Sequence, residues 1–84
     1  MNQQTTNFIL IVDDNPTNLA VLAETLKAGG HRVRVAISGE NALKQIAQAK
    51  PVLILLDVMM PGIDGFETCR QLKADPETAN IPVI

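Results

Sequence analysis

Val52-Leu53-Ile54-Leu55-Leu56-Asp57-Val58-Met59-Met60-Pro61-Gly62-Ile63-Asp64-Gly65 decides how this chain is read. Five consecutive apolar residues run into a single carboxylate, with Pro51 before them and Pro61-Gly62 after. A continuous apolar run of this kind predicts a strand buried on both faces, as in a parallel sheet covered by helices. The bracketing prolines leave too few residues for a helix. Asp57 then stands at the carboxyl end of a central strand, where open α/β sheets place their ligands.

Phe8-Ile9-Leu10-Ile11-Val12 is a second apolar run, and it also ends in carboxylates, Asp13 and Asp14. Asn15-Pro16 reads as a helix entry, with Asn15 as the N-cap and Pro16 at the first helical position. Leu19, Leu22 and Leu26 recur at helical spacing, and Gly29-Gly30 stops the helix, the first glycine as a left-handed cap. His31 to Ala36 alternates, with Val33 and Val35 on one side and Arg32 and Arg34 on the wet side, which places a strand at a sheet edge. Ser38-Gly39 opens a second helix with Ala42, Leu43, Ile46 and Ala47 as its apolar stripe. After the Asp57 strand, Asp64 and Glu67 have capping-box spacing. They start a third helix whose inner face carries Phe66, Cys69 and Leu72. A polar loop from Asp75 to Asn80 leads to Ile81-Pro82-Val83-Ile84, a fourth strand.

Alternation of strand and helix implies a parallel sheet with right-handed crossovers. The polar stretch Met1 to Asn7 is expected to be loosely held, with the folded part running from residue 8 to 84. Eighty-four residues with 46% apolar content and two phenylalanines make one globular domain, or part of one, with an aliphatic core. A net charge of −2 gives no basic patch for nucleic acid and no polybasic membrane signal. The single Cys69 fits a reducing compartment, and no apolar stretch approaches the roughly 18 residues of a membrane span. The expected setting is cytoplasmic.

With the two apolar strands as neighbours, Asp13, Asp14 and Asp57 converge on one crevice. Three carboxylates that close repel one another unless a cation joins them. Mg²⁺ suits the site, since it takes one or two carboxylates, water and a phosphate oxygen. A carboxylate beside Mg²⁺ can attack a phosphoryl donor in line and become an aspartyl phosphate. The alternative is structural: Asp13 and Asp14 cap the first helix and Asp57 ends a strand.

Ile11-Val12-Asp13-Asp14-Asn15, Leu55-Leu56-Asp57-Val58-Met59-Met60-Pro61 and Asp64-Gly65 resemble the response-regulator receiver domain of two-component signalling. The resemblance covers the chain from Phe8 onward and implies a flavodoxin-like, doubly wound sheet of order 2-1-3-4-5. It implies that Asp57 is the phosphoacceptor, and that Asp13 and Asp14 hold Mg²⁺ directly or through water. The backbone carbonyl of Met59 would complete the metal site, and Pro61 and Gly65 would shape the loop over it. The donor would be a sensor histidine kinase or a phosphotransfer protein, and the chain would be no enzyme beyond its own phosphorylation and dephosphorylation. Val52 and Asn41 replace acids common in the family, outside the site.

On this reading the domain is incomplete, cut after its fourth strand, and self-association of the chain is expected. The family's switch Ser or Thr and its Lys would lie beyond Ile84, and neither Lys50 nor Lys73 can stand in for that Lys. Two other classes compete: an interaction module that is not phosphorylated, and a phosphohydrolase with an aspartyl-phosphate intermediate. The second usually has another acid two residues after its nucleophile, where this chain has Met59. His31 reads as a solvated loop residue, Met59 and Met60 as loop and packing residues, and Cys69 as a small core residue.

Overall fold

The computed structural model describes residues 7–57 and 65–84. The elements run β1 (Ile9–Val12), α1 (Pro16–Ala28), β2 (Val33–Ala36), α2 (Gly39–Gln48), β3 (Leu53–Leu56) and α3 (Gly65–Ala74). The three strands are parallel in the order β2-β1-β3. Ile9 pairs with Val33 and Leu53, and Val12 with Ala36 and Leu56. Outside β3 the segment 81–84 adds a parallel bridge between Ile54 and Val83. Ile54 donates to Pro82 and accepts from Ile84, and Leu56 donates to Ile84. The expected fourth strand is thus present only as a bridge, on the expected side of β3.

β1 is the strand buried on both faces. Leu10 and Val12 join Phe8, Ala36, Ala42, Ile46, Ile54 and Leu72 in a core beneath α2 and α3. Ile9 and Ile11 point the other way and pack with Leu19 and Ala23 of α1. Helices on both faces of a parallel sheet are the doubly wound arrangement, here in part.

β3 departs from the expectation. Only Ile54 is buried, Leu53, Leu55 and Leu56 are half-buried, and Val52 lies outside the strand, 50% exposed. Val52 still donates its N–H to Phe8, so it extends the ladder without adding to the core.

The helix entries form as the caps dictate. Asn15 accepts the N–H groups of Thr17 and Asn18, with Pro16 leading the first turn. Ser38 accepts from Asn41 in the same way.

The apolar stripes are rotated from those expected. In α1 Leu19 and Ala23 are buried while Leu22 lies at the rim, 38% exposed. In α2 the stripe is Gly39, Ala42 and Ile46, and Ala47 is exposed. In α3 the buried set is Gly65, Thr68 and Leu72, leaving Phe66 68% exposed and Cys69 half-buried. Leu72 is fixed in the core, and steps of four and seven residues back lead to Thr68 and Gly65. Phe66 is six back, well off that line.

The α3 surface carries a Glu67–Arg70 pair at 2.6 Å, and this hydrogen bond holds the Glu67 carboxyl below its usual range. Asp64, the expected cap of α3, lies outside the described residues, as do Met1–Thr6 of the expected tail.

Arg34 is exposed as expected for an edge strand, yet its guanidinium sits 4.5 Å from the centre of the Phe8 ring. At the end of α1 it is Gly30, with φ of 92°, that takes the left-handed conformation, while Gly29 has φ of −83°. Gly30→Ala should therefore cost about 1–2 kcal/mol, although nothing lies within 4 Å of the added Cβ. Gly29→Ala meets only ordinary contacts at 3.5 Å and should leave the melting temperature nearly unchanged. Thermal melts of the two variants check this; equal losses would mean the turn does not depend on Gly30.

Candidate functional site

Two ladder bonds set the site. Asp13 donates its N–H to Ala36 at 3.1 Å, and Asp57 donates to Val12 at 2.9 Å. Each aspartate is thus held by the sheet one residue past its strand. Because Val12 lies opposite Leu56, the next residues, Asp13 and Asp57, come level on adjacent strands about 5 Å apart. Asp14 follows Asp13 into the turn before α1.

One ligand oxygen from each of Asp13, Asp14 and Asp57 lies within 4.8 Å of the others. Asp13 is nearly buried at 9% exposure, Asp57 half-buried and Asp14 exposed. The site therefore has one protected acid, one at the crevice wall and one facing water.

The Asp13 carboxylate is tethered at both oxygens. Oδ1 accepts the backbone N–H of Asn15 at 2.9 Å, and Oδ2 accepts Nδ2 of Asn18 at 3.3 Å. The crevice, about 310 Å³, is lined by both acids Asp13 and Asp57, by Asn18, and by apolar Leu22, Leu55 and Ile84. A larger hollow of about 470 Å³ lies at the opposite ends of the strands, around Phe8, His31 and Arg32. It holds no convergent acids, so the chemistry belongs to the smaller crevice. His31 is exposed, as expected.

The donor set fits a small hard cation. It consists of carboxylate oxygens, one of them protected, the ligand type that such a cation takes together with water and phosphate oxygens. Softer metals such as zinc and copper prefer imidazole or thiolate, and the group contains neither. Met59 and Pro61, expected to supply a carbonyl and shape the loop, lie outside the described residues; Gly65 is the buried first residue of α3.

Lys50 and Lys73 are engaged elsewhere. Lys50 donates to Ile46 and pairs with Glu77 at 3.7 Å, while Lys73 donates to Ala79 and Ile81. Asn18 was missed by the sequence reading. The signal was there: the Asn15 cap fixes the first turn of α1, so the residue three further on faces back toward the strand end.

The response regulator receiver domain model matches residues 9–84. The chain belongs to that family. Response regulator PleD of Caulobacter vibrioides is 50% identical over 76 residues, 90% of this chain but 17% of PleD. The N-terminal domain of a response regulator receiver protein from Methanoculleus marisnigri JR1 superposes with a TM-score of 0.88 at 45% identity. That match covers 90% of this chain and 62% of the other. TrrA of Thermotoga maritima, solved in complex with Mg(2+)-BeF, matches with a TM-score of 0.80 at 35% identity, over 84% of this chain and 62% of TrrA. This chain thus spans less than two thirds of the length of each of these proteins. The expected recognition, the flavodoxin-like architecture and the assignment to two-component signal transduction all stand.

Proposed function

We propose that residues 8–84 form the phosphoacceptor-bearing part of a receiver domain, and that Asp57 takes a phosphoryl group from a histidine kinase or phosphotransfer protein. The observation that carries this is the level placement of Asp13 and Asp57 by adjacent parallel strands, with Asp14 beside them. A carboxylate oxygen of Asp57 forms the new bond to phosphorus as the bond from phosphorus to the donor atom breaks, giving an aspartyl phosphate. Asp13 and Asp14 would hold Mg²⁺, with the Met59 carbonyl as a further ligand, and Pro61 and Gly65 bounding the loop. Mg²⁺ held there would neutralise charge on the transferring group. TrrA, a relative of the same fold, was solved with Mg(2+)-BeF, which supports the same cation here.

Receivers are signalling modules, and we propose no activity beyond the chain's own phosphorylation and dephosphorylation. The interaction-module alternative is not favoured, because all three acids are brought together, and the phosphohydrolase alternative is not favoured, because Met59 stands where its second acid would be. No helix among the described residues is long and apolar enough to cross a membrane; a cytoplasmic setting is our proposal, as is the absence of nucleic-acid contacts by this segment. We propose further that the 84-residue chain associates with a second copy.

Treatment with acetyl phosphate and Mg²⁺, followed by intact-mass measurement, tests the phosphoacceptor reading. The wild-type chain should gain one phosphoryl group, and neither the wild type without Mg²⁺ nor Asp57→Ala should gain it. A chain extended through the fifth strand that the receiver fold implies should label faster. Undiminished labelling of Asp57→Ala would refute the mechanism.

A further inference from the structure

We propose that Asn18 is a positioning residue, which fixes the plane of the Asp13 carboxylate so that it can bind a divalent cation beside Asp57. The inference rests on the reading of Asp13, Asp14 and Asp57 as a cation-assisted site.

The backbone N–H of Asn15 holds Oδ1 of Asp13 at 2.9 Å. A single tether of that kind leaves the carboxylate free to turn about the bond. The Asn18 amide at 3.3 Å from Oδ2 is the second tether, and two points fix the plane. A carboxylate only accepts hydrogen bonds, so the amide must turn its nitrogen, not its oxygen, toward Asp13. Each carboxylate oxygen can accept more than one bond, so both keep capacity for a cation.

Asn18 is itself held in place. Its backbone N–H donates to the Asn15 cap at 3.2 Å, so the element that starts α1 also aims the side chain that grips Asp13. A neutral amide suits this task. Lysine or arginine at the same point would hold Asp13 as well but would repel the cation. Asn18 is exposed at the crevice and contributes nothing to either apolar core, so a change there separates positioning from folding. Partners that orient metal ligands from behind are worth about 10–100-fold in metal affinity. The low end applies here, because the bond is long and partly solvated.

Calorimetric titration of Mg²⁺ into the 84-residue chain tests this, with Asn18→Leu, Asn18→Gln and Asp13→Asn as variants. Asn18→Leu keeps the size but removes the donor, and should bind Mg²⁺ about tenfold more weakly at an unchanged melting temperature. Asn18→Gln, which retains an amide, should recover part of that loss. In the wild type, the side-chain amide resonances of Asn18 should shift as Mg²⁺ is added, because the amide bonds the carboxylate that takes up the cation; recovery in Asn18→Gln is what a purely structural residue would not show. Equal affinity of wild type and Asn18→Leu would overturn the inference while Asp13→Asn still reported on the site. Absence of Mg²⁺ binding by the wild type would instead remove the functional reading as well.

Discussion

Leu10→Ala should lower the melting temperature by about 10–20 °C or more, and leave a large fraction of the chain unfolded at 37 °C. Leu10 is fully buried at the middle of the central strand, pairs across the ladder with fully buried Ile54, and belongs to the larger core. Truncating a buried leucine costs about 2–5 kcal/mol, because the transfer energy is lost and a cavity remains. A chain of this length has a total stability of roughly 4–12 kcal/mol. Each kcal/mol shifts the midpoint of a domain this size by about 4–8 °C. Val21→Ala, at a side chain 60% exposed, should stay within about 0.5 kcal/mol of wild type. Thermal melts followed by circular dichroism check both. A shift below about 3 °C for Leu10→Ala would mean that the sheet closes over the gap, and that the core is far more plastic than its burial implies.

The second large effect concerns association. The face of the sheet that α1 covers is covered only in part: Leu53 and Leu55 remain half-buried, and Leu22 and Ile84 border the same crevice as Leu55. Ile84 is 76% exposed and Leu22 38%. Burying one such side chain fully is worth about 1.5–3 kcal/mol. Several together compete with the stability of the whole chain, and a net charge of −2 offers little repulsion between copies. The outer backbone edge contributes less than its sequence implies. Pro82 has no N–H, Ile81 already donates to Thr78 and accepts from Lys73, and Ile84 bonds back to β3. Val83 is left as the residue whose backbone can face outward. Two copies should therefore meet through the apolar face, not by strand addition.

Sedimentation velocity over a concentration series should show a dimer that dissociates on dilution. The double change Leu22→Lys and Ile84→Lys should hold the chain monomeric without unfolding it. A single monomeric species across the wild-type series would sink the proposal.

The order of elements and the position of the acids could be read from sequence because both follow from local signals. Wholly apolar runs ending in aspartate define β1 and β3, and Asn15-Pro16 and Ser38-Gly39 define helix entries. The rotation of each helix could not be read in the same way. Apolar residues at three- and four-residue spacing fit several stripes, and only contact with the sheet chose Thr68 over Phe66 and Ala23 over Leu22. The thin cover of β3 was hidden for a related reason, since Leu53, Leu55 and Val52 look as apolar as Ile54. Of the two glycines after α1, composition marks the turn but not which residue carries the positive φ. At the site, Asp13, Asp14 and Asp57 were legible as strand ends. The Asn18 tether was legible only indirectly, through the Asn15 cap that fixes the first turn of α1 and with it the direction of that side chain.

The ladder bonds that carry Asp13 and Asp57 give the site a built-in reporter. The amide protons of these two aspartates are committed to Ala36 and Val12. They can exchange with solvent only when the carboxyl ends of the strands part. A ligand that bridges the acids binds the closed sheet better than the opened one, so it must suppress that opening in proportion to its occupancy. Hydrogen exchange at these two positions would then register occupancy directly, while the Leu10 amide at the centre of β1 serves as the internal standard for global unfolding.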